Sequence, residues 1–141
     1  MEISVSTGVE EIEIKRNGER AGAIRFSLSD PALLVRLRKV SAEAERIQRE
    51  SRLGDLKDDL DAALAEAQRV DGEIRKMLDD CFLAPVSETV FGDSFSFTTF
   101  EGKTLVEQFL EGVTPHIERC FKAEMKAAEK RQKKYLEKYG K

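Results

Sequence analysis

Residues 78–92 read LDDCFLAPVSETVFG. This passage divides the chain. A charged, periodic region precedes it and a second helical region follows it. Phe82, Leu83 and Phe91 flank a Pro-Val-Ser turn. Exposed loops rarely carry large apolar groups at both ends, so the passage is expected to dock in a core as a connector between helices.

On the N-terminal side the pattern is strand-like. Ile12 and Ile14 alternate with Glu11, Glu13 and Lys15, the period of two of a half-buried strand. Asn17-Gly18 follows, a strong hairpin signal because both residues tolerate positive φ. Ile24, Phe26 and Leu28 then fall on one face of a returning strand, and Ile3 to Val5 can add a third. Ser29-Asp30-Pro31 switches the chain to helix. Asp30 or Ser29 can cap free amides, and Pro31 suits the first helical position. Leu33, Leu34, Leu37, Val40, Ala44 and Ile47 keep helical spacing up to a break at Gly54-Asp55. Leu56, Leu60, Ala63, Leu64, Ala67, Val70, Ile74, Met77 and Leu78 then step by three and four, a coiled-coil-like stripe of about three heptads. The two helices are expected to fold back as an antiparallel hairpin.

Beyond the connector, Phe95 and Phe97 alternate with Ser94, Ser96 and Thr98, which suits a short strand or extended segment. Thr104 and Glu107 have capping-box spacing ahead of Leu105, Val106, Phe109 and Leu110. Residues 112–115 are read as a change of direction, with Thr114 capping and Pro115 starting a last helix through Ile117, Cys120, Phe121, Met125 and Ala128. Past Ala128 the apolar stripe fades into EKRQKKYLEKYGK, where Tyr135, Leu136 and Tyr139 are the groups able to pack.

The expected architecture is α+β, mainly α: an N-terminal β-hairpin, a helical hairpin and two C-terminal helices in one domain. The divisions are a ribbon over 1–29, a helical hairpin over 30–84, a connector over 85–103, C-terminal helices over 104–129, and a basic tail over 130–141 read as frayed, disordered or dependent on a partner.

Composition narrows the function. The 141 residues suffice for one domain with a real core. Charged residues make up 36% and apolar residues 40%, which suits long solvated helices. Net charge is −3, unevenly spread: residues 122–141 hold eight Lys/Arg against three Glu, so the rest of the chain is acidic. Residues 1–20 lack the basic-then-apolar order of a secretory signal, and no window approaches a membrane span, so a soluble, intracellular chain is expected. Cys81 and Cys120 lie among apolar residues and read as small buried hydrophobes in a reducing compartment.

No catalytic signature is present, and neither cofactor nor metal is expected. His116 is the single histidine and reads as a surface or packing residue. One histidine and two isolated cysteines do not make a zinc set by spacing. Asp58, Asp59 and Asp61, like Asp79-Asp80, read as solvated helix charges without an EF-hand pattern. No phosphate-binding glycine loop occurs. The basic tail with its tyrosines can meet nucleic acid, but an acidic body and the interspersed Glu124, Glu129 and Glu137 argue against that use.

The order of parts resembles the small tail assembly chaperones of long-tailed (siphovirus-type) bacteriophages and prophages. The resemblance covers most of the chain. It rests on Leu78-Asp79-Asp80-Cys81-Phe82, on Val90-Phe91-Gly92-Asp93, and on Phe109-Leu110-Glu111-Gly112-Val113. The long charged helix pair between Arg36 and Met77 departs from the family pattern. The resemblance implies a non-enzymatic role in the host cytoplasm: coating the long helical tape measure protein, helping recruit tail tube protein, and leaving before the virion matures. A homo-oligomer is one way to coat a filament, with the ribbon edge as a candidate contact. Partner-binding candidates are Leu56, Leu60 and Leu64; Phe82, Val90 and Phe91 of the connector; Phe109, Ile117 and Phe121; and the basic Lys130, Arg131, Lys133 and Lys134. The competing readings are a generic helical or coiled-coil adaptor and a nucleic-acid-binding regulator that uses the tail.

Overall fold

The computed structural model describes residues 1–27, 30–51 and 53–140. The expectations placed on Leu28 and Ser29 lie outside the described residues. The chain is α+β and mainly α, with an N-terminal antiparallel hairpin followed by helices.

Strands β1 (Val9–Arg16) and β2 (Glu19–Ser27) form the ribbon. Asn17 and Gly18 take φ of 53° and 81°, as the tight turn requires. The register shifts between Ile14 and Lys15, a bulge that twists the ribbon. Its inner face pairs Glu10 with Phe26, Ile12 with Ile24 and Ile14 with Gly22. Ile24 and Phe26 are buried, while Ile12 and Ile14 pack partly against the core. Gly22, at φ 150°, lets Thr89 come close: a Cβ there would sit 3.0 Å from Thr89 Cγ2. The third strand expected at Ile3 to Val5 does not form. Both side chains are exposed, and among the described residues no strand is assigned before Val9.

Helix α1 (Pro31–Arg49) starts where the Asp30 carboxylate accepts a hydrogen bond from the Ala32 amide at 2.9 Å. Leu33, Leu37, Val40, Ala44 and Ile47 are its buried stripe. A short 3₁₀ turn, Leu53–Leu56, then leads into α2 (Leu60–Phe82), which Asp59 caps through the Ala62 amide at 3.0 Å. Near the start of α1, Arg36 Nε donates to the Cys81 carbonyl at the end of α2, 2.6 Å away. The two helices are therefore antiparallel, as their spacing predicts. Part of their charge lies in ion pairs along the helices: Arg46 sits between exposed Glu43 and Glu50, and Arg69 bridges buried Glu66 and exposed Glu73.

The connector differs from the expected loop. Its first five residues complete α2, and residues 86–91 form a short helix, α3 (Val86–Phe91). Three charged residues of α2, four apart and so on one face, hold it. Asp79 accepts from the Ser87 amide at 2.7 Å and from its hydroxyl at 3.0 Å. Arg75 Nη2 donates to the carbonyls of Gly92 and Ser94, each at 2.7 Å, and its guanidinium lies over the Phe91 ring. Asp71 bonds Arg75 at 2.8 Å and accepts from the buried Ser96 amide at 2.7 Å. Phe82 and Phe91 are buried as expected. Leu83 is not: it adopts a left-handed C-cap conformation, φ 56°, and is 75% exposed. A helix that ends this way points its αL residue outward.

Strands β3 (Thr99–Phe100) and β4 (Lys103–Thr104) make a two-residue ladder around Glu101 and Gly102, both at positive φ. Of the short strand or extended segment expected over 93–100, Thr99 and Phe100 are the part that is strand among the described residues. Thr104 then caps α4 (Leu105–Tyr139) through the Glu107 amide at 3.1 Å. The two C-terminal helices and the change of direction at 112–115 are corrected here: α4 is one helix of 35 residues with Pro115 inside it. Proline within a helix costs about 3 kcal/mol. The stripe Val106, Leu110, Val113 and Ile117 runs through that position in unbroken register and is fully buried, which offsets the cost. The basic tail is likewise helical to Tyr139 rather than disordered.

Removing the Asp71 carboxylate leaves the buried Ser96 amide without its acceptor and takes the ion-pair partner from Arg75, which keeps the Gly92 and Ser94 carbonyls. Asp71→Ala should lower stability to urea by about 2–3 kcal/mol. Ser96→Ala should be neutral or stabilising, because the Ser96 hydroxyl is buried without a hydrogen-bond partner. Equal losses from the two variants would contradict this account of the connector.

Candidate functional site

Two features of the surface have no structural task within the fold. The first is the far half of α4. Its packing ends at Ile117, with Cys120 and Phe121 half-buried, and every residue from 122 to 139 is exposed. These 18 residues extend about 27 Å as a free helical arm. Phe121, Met125, Ala128, Tyr135 and Tyr139 step along one side at a period close to 3.5, with Gln132 in the remaining position. Met125 is 57% exposed, Tyr135 62%, Leu136 59% and Tyr139 64%. The rings of Tyr135 and Tyr139 contact each other, 4.9 Å between centroids, and Lys138 lies over Tyr139, contacts made within the arm itself. Lys130, Arg131, Lys133 and Lys134 are exposed around the same arm.

The second is a groove of about 840 Å³ between β1, α3 and the first half of α4. Ile12, Ile14, Val90, Leu105 and Phe109 form its apolar wall, and Lys15, Arg16 and Arg119 its basic rim. His116 also lines it and belongs to a cluster of three. His116 Nε2 lies 3.1 Å from Glu10 Oε1. Cys120 Sγ lies 3.2 Å from Glu10 Oε2 and 3.8 Å from His116 Nε2. The Phe26 ring meets the imidazole edge-on, 6.4 Å between centroids. Among the described residues this is the group of carboxylate, imidazole and thiol donors that converges closely enough to hold a metal ion.

The two cysteines are in different surroundings. Burial pushes the Cys81 thiol up to about 11, against a smaller opposing pull from Arg36. The Cys120 thiol is raised first by its partial burial, then by the hydrogen bond and negative charge of Glu10, with Arg119 opposing. Cys120 is thus half-buried and not the closed core residue its neighbours suggested.

The candidates read from sequence separate into three groups. Phe82, Phe91 and Ile117 are core residues and unavailable to a partner. Leu56, Val90, Phe109 and Phe121 are half-buried; Val90 and Phe109 reach the groove. Leu60 and Leu64 are exposed, at 71% and 50%, on the first two turns of α2. The stripe from Leu56 to Leu78 is therefore not one interaction face: beyond Leu64 it turns into the core. The stripe read from Ile117 to Ala128 leaves the core after Ile117 and continues, exposed, through Met125, Tyr135 and Tyr139. Sequence reasoning missed the cluster. His116 and Cys120 are four apart and share a helix face, a signal visible once Pro115 is seen to lie within the helix, but nothing local points to Glu10.

Among the described residues, no helix is long and apolar enough to cross a membrane. No family model, curated protein or solved structure matches the chain.

Reactivity should separate the cysteines. In the native chain near pH 8, iodoacetamide should modify Cys120 well ahead of Cys81. Glu10→Gln should speed the Cys120 reaction, since removing the carboxylate removes groups that favour the neutral thiol and so raises the thiolate fraction. Peptide mass mapping reads both; equal native rates, or slower reaction in the variant, would contradict the geometry.

Proposed function

We propose that the chain is a non-enzymatic binding protein that offers the α4 arm to a long helical partner. The observation that carries this is the exposed stripe on residues 122–139, which no other element among the described residues covers. A helix of 18 residues is marginal by itself in water. A second helix laid along the stripe removes Met125, Tyr135, Leu136 and Tyr139 from water and supplies the missing cover. Between residues 122 and 139 seven Lys/Arg face three Glu, so a partner with acidic flanks suits the arm.

The resemblance to tail assembly chaperones gives the partner a class. On that reading the chain holds the tape measure protein in solution in the cytoplasm of a bacterial host, helps recruit tail tube protein, and is absent from the finished virion. What supports it is the fit between a helix-presenting arm and a long helical client. The motifs behind the resemblance are mostly core and turn residues: Leu78, Cys81, Phe82, Phe91, Leu110 and Val113 are buried. They speak to a shared fold; the arm speaks to binding.

Co-expression with the cognate tape measure protein tests the proposal. The expected result is a soluble client that co-purifies with several copies of this chain. Met125→Glu combined with Tyr135→Glu should abolish co-purification while leaving thermal stability unchanged, since both positions are exposed. A client that stays insoluble, or one retained equally by the double variant, would overturn it. Self-association through the arm without a client would favour a coiled-coil adaptor. Salt-sensitive DNA or RNA binding lost on deleting residues 129–141 would favour a nucleic-acid regulator.

A further inference from the structure

The fold brings one carboxylate, one imidazole and one thiol together from parts of the chain more than a hundred residues apart. Glu10 comes from the inner face of β1, where it stands across from Phe26. His116 and Cys120 come from one face of α4, four residues apart, the spacing that lets two helical side chains converge on one point. We propose that Glu10, His116 and Cys120 form a binding site for a divalent ion of borderline softness, Zn²⁺ in the first instance, that clips the N-terminal ribbon to α4.

The distances are compatible with such a site. Zinc binds sulfur at about 2.3 Å and nitrogen or oxygen at about 2.0–2.2 Å, which sets the edges of a tetrahedral site near 3.4–3.6 Å. His116 Nε2 lies 3.1 Å from Glu10 Oε1, Cys120 Sγ 3.2 Å from the other oxygen, Oε2, and Cys120 Sγ 3.8 Å from His116 Nε2. With one ligand atom taken from each residue, all three lie within 4.8 Å of one another, so closing on an ion takes rotation of the Glu10 carboxylate and its neighbours rather than movement of the backbone. The donor types also select the ion. A thiolate and an imidazole suit zinc, whereas Mg²⁺ and Ca²⁺ want oxygen alone. With the thiol deprotonated and the imidazole neutral, the two negative ligands balance the ion. Binding exchanges the Cys120 proton for the metal and releases it to solvent.

The site is not closed. The His116 and Glu10 side chains keep about a third of their exposure, and His116 lines the groove. Three protein donors leave a fourth position for a water molecule or a donor from a bound partner. The Phe26 ring holds the imidazole from its other side. The ribbon rests chiefly on α3, so an ion here adds a tie between the ribbon and α4 that packing supplies only thinly.

The test is titration of the purified full chain with Co²⁺ and Zn²⁺. The expected result is saturable one-to-one Co²⁺ binding with a thiolate-to-cobalt charge-transfer band and tetrahedral d–d bands, displaced by Zn²⁺. Zn²⁺ should raise Tm, and Mg²⁺ should not. Cys120→Ser should remove the charge-transfer band, Glu10→Gln should weaken binding at least about tenfold, and Cys81→Ser should change neither. Protection of Cys120 from alkylation by Zn²⁺ in the unaltered chain needs no variant and reads the same site. Absence of saturable binding, a band that survives Cys120→Ser, or alkylation of Cys120 at an unchanged rate in Zn²⁺ would overturn the proposal. Because it is read on the isolated chain, its failure leaves the tape measure reading untouched, and the reverse also holds.

Discussion

The structure depends on a line of three charged side chains on α2. Asp71, Arg75 and Asp79 stand four apart and turn a surface-like pattern into a clamp on the chain that follows. Asp79 holds the start of α3, Arg75 ties down the carbonyls beyond its end, and Asp71 both holds Arg75 and receives the Ser96 amide. A connector without long regular structure of its own must satisfy its backbone groups elsewhere if it is buried. Here α2 supplies the partners, so Phe91 reaches full burial at 1% exposure. The placement of β3, β4 and the start of α4 follows from that anchorage, since Ser96 in turn accepts from the Val106 amide.

Helix α4 is the second organising element, and it divides into two halves with different duties. The first half keeps Val106, Leu110, Val113 and Ile117 in the core beside α1. The second half leaves the body with its apolar stripe uncovered. A long helix can project this way because each of its backbone groups is satisfied within the helix, so only side chains meet solvent. Basic residues toward the C-terminal end also complement the helix dipole. Stability is thus concentrated in one half of the helix and the opportunity for binding in the other.

The ribbon is the least self-sufficient part. Two strands alone are marginal, and this pair is held by Ile24 and Phe26 in the core and by Gly22 against Thr89. Its inner face also carries Glu10, a charged residue among apolar neighbours. That choice is costly unless the carboxylate has partners, and His116 and Cys120 are those partners. The polar cluster and the apolar groove both draw on β1, through Glu10 and through Ile12 and Ile14.

The sequence by itself determined the features that depend on near neighbours. The alternation at Ile12 and Ile14 with Asn17-Gly18 specified the hairpin, because side-chain period and turn φ are local. Asp30 and Thr104 specified helix starts, because a cap reaches only two or three residues. The stripes of α1 and of the first half of α4 were legible for the same reason. Tertiary structure alone decided which stripes are core. Leu60 and Leu64 lie outside while Phe82 and Ile117 lie inside, since burial depends on whether another element stands opposite. It also decided that Pro115 does not end a helix: the cost is local, but the burial that offsets it on either side is not. And it alone joined Glu10 to His116 and Cys120, because no periodicity within a strand or a helix reports what the other end of the chain brings to meet it.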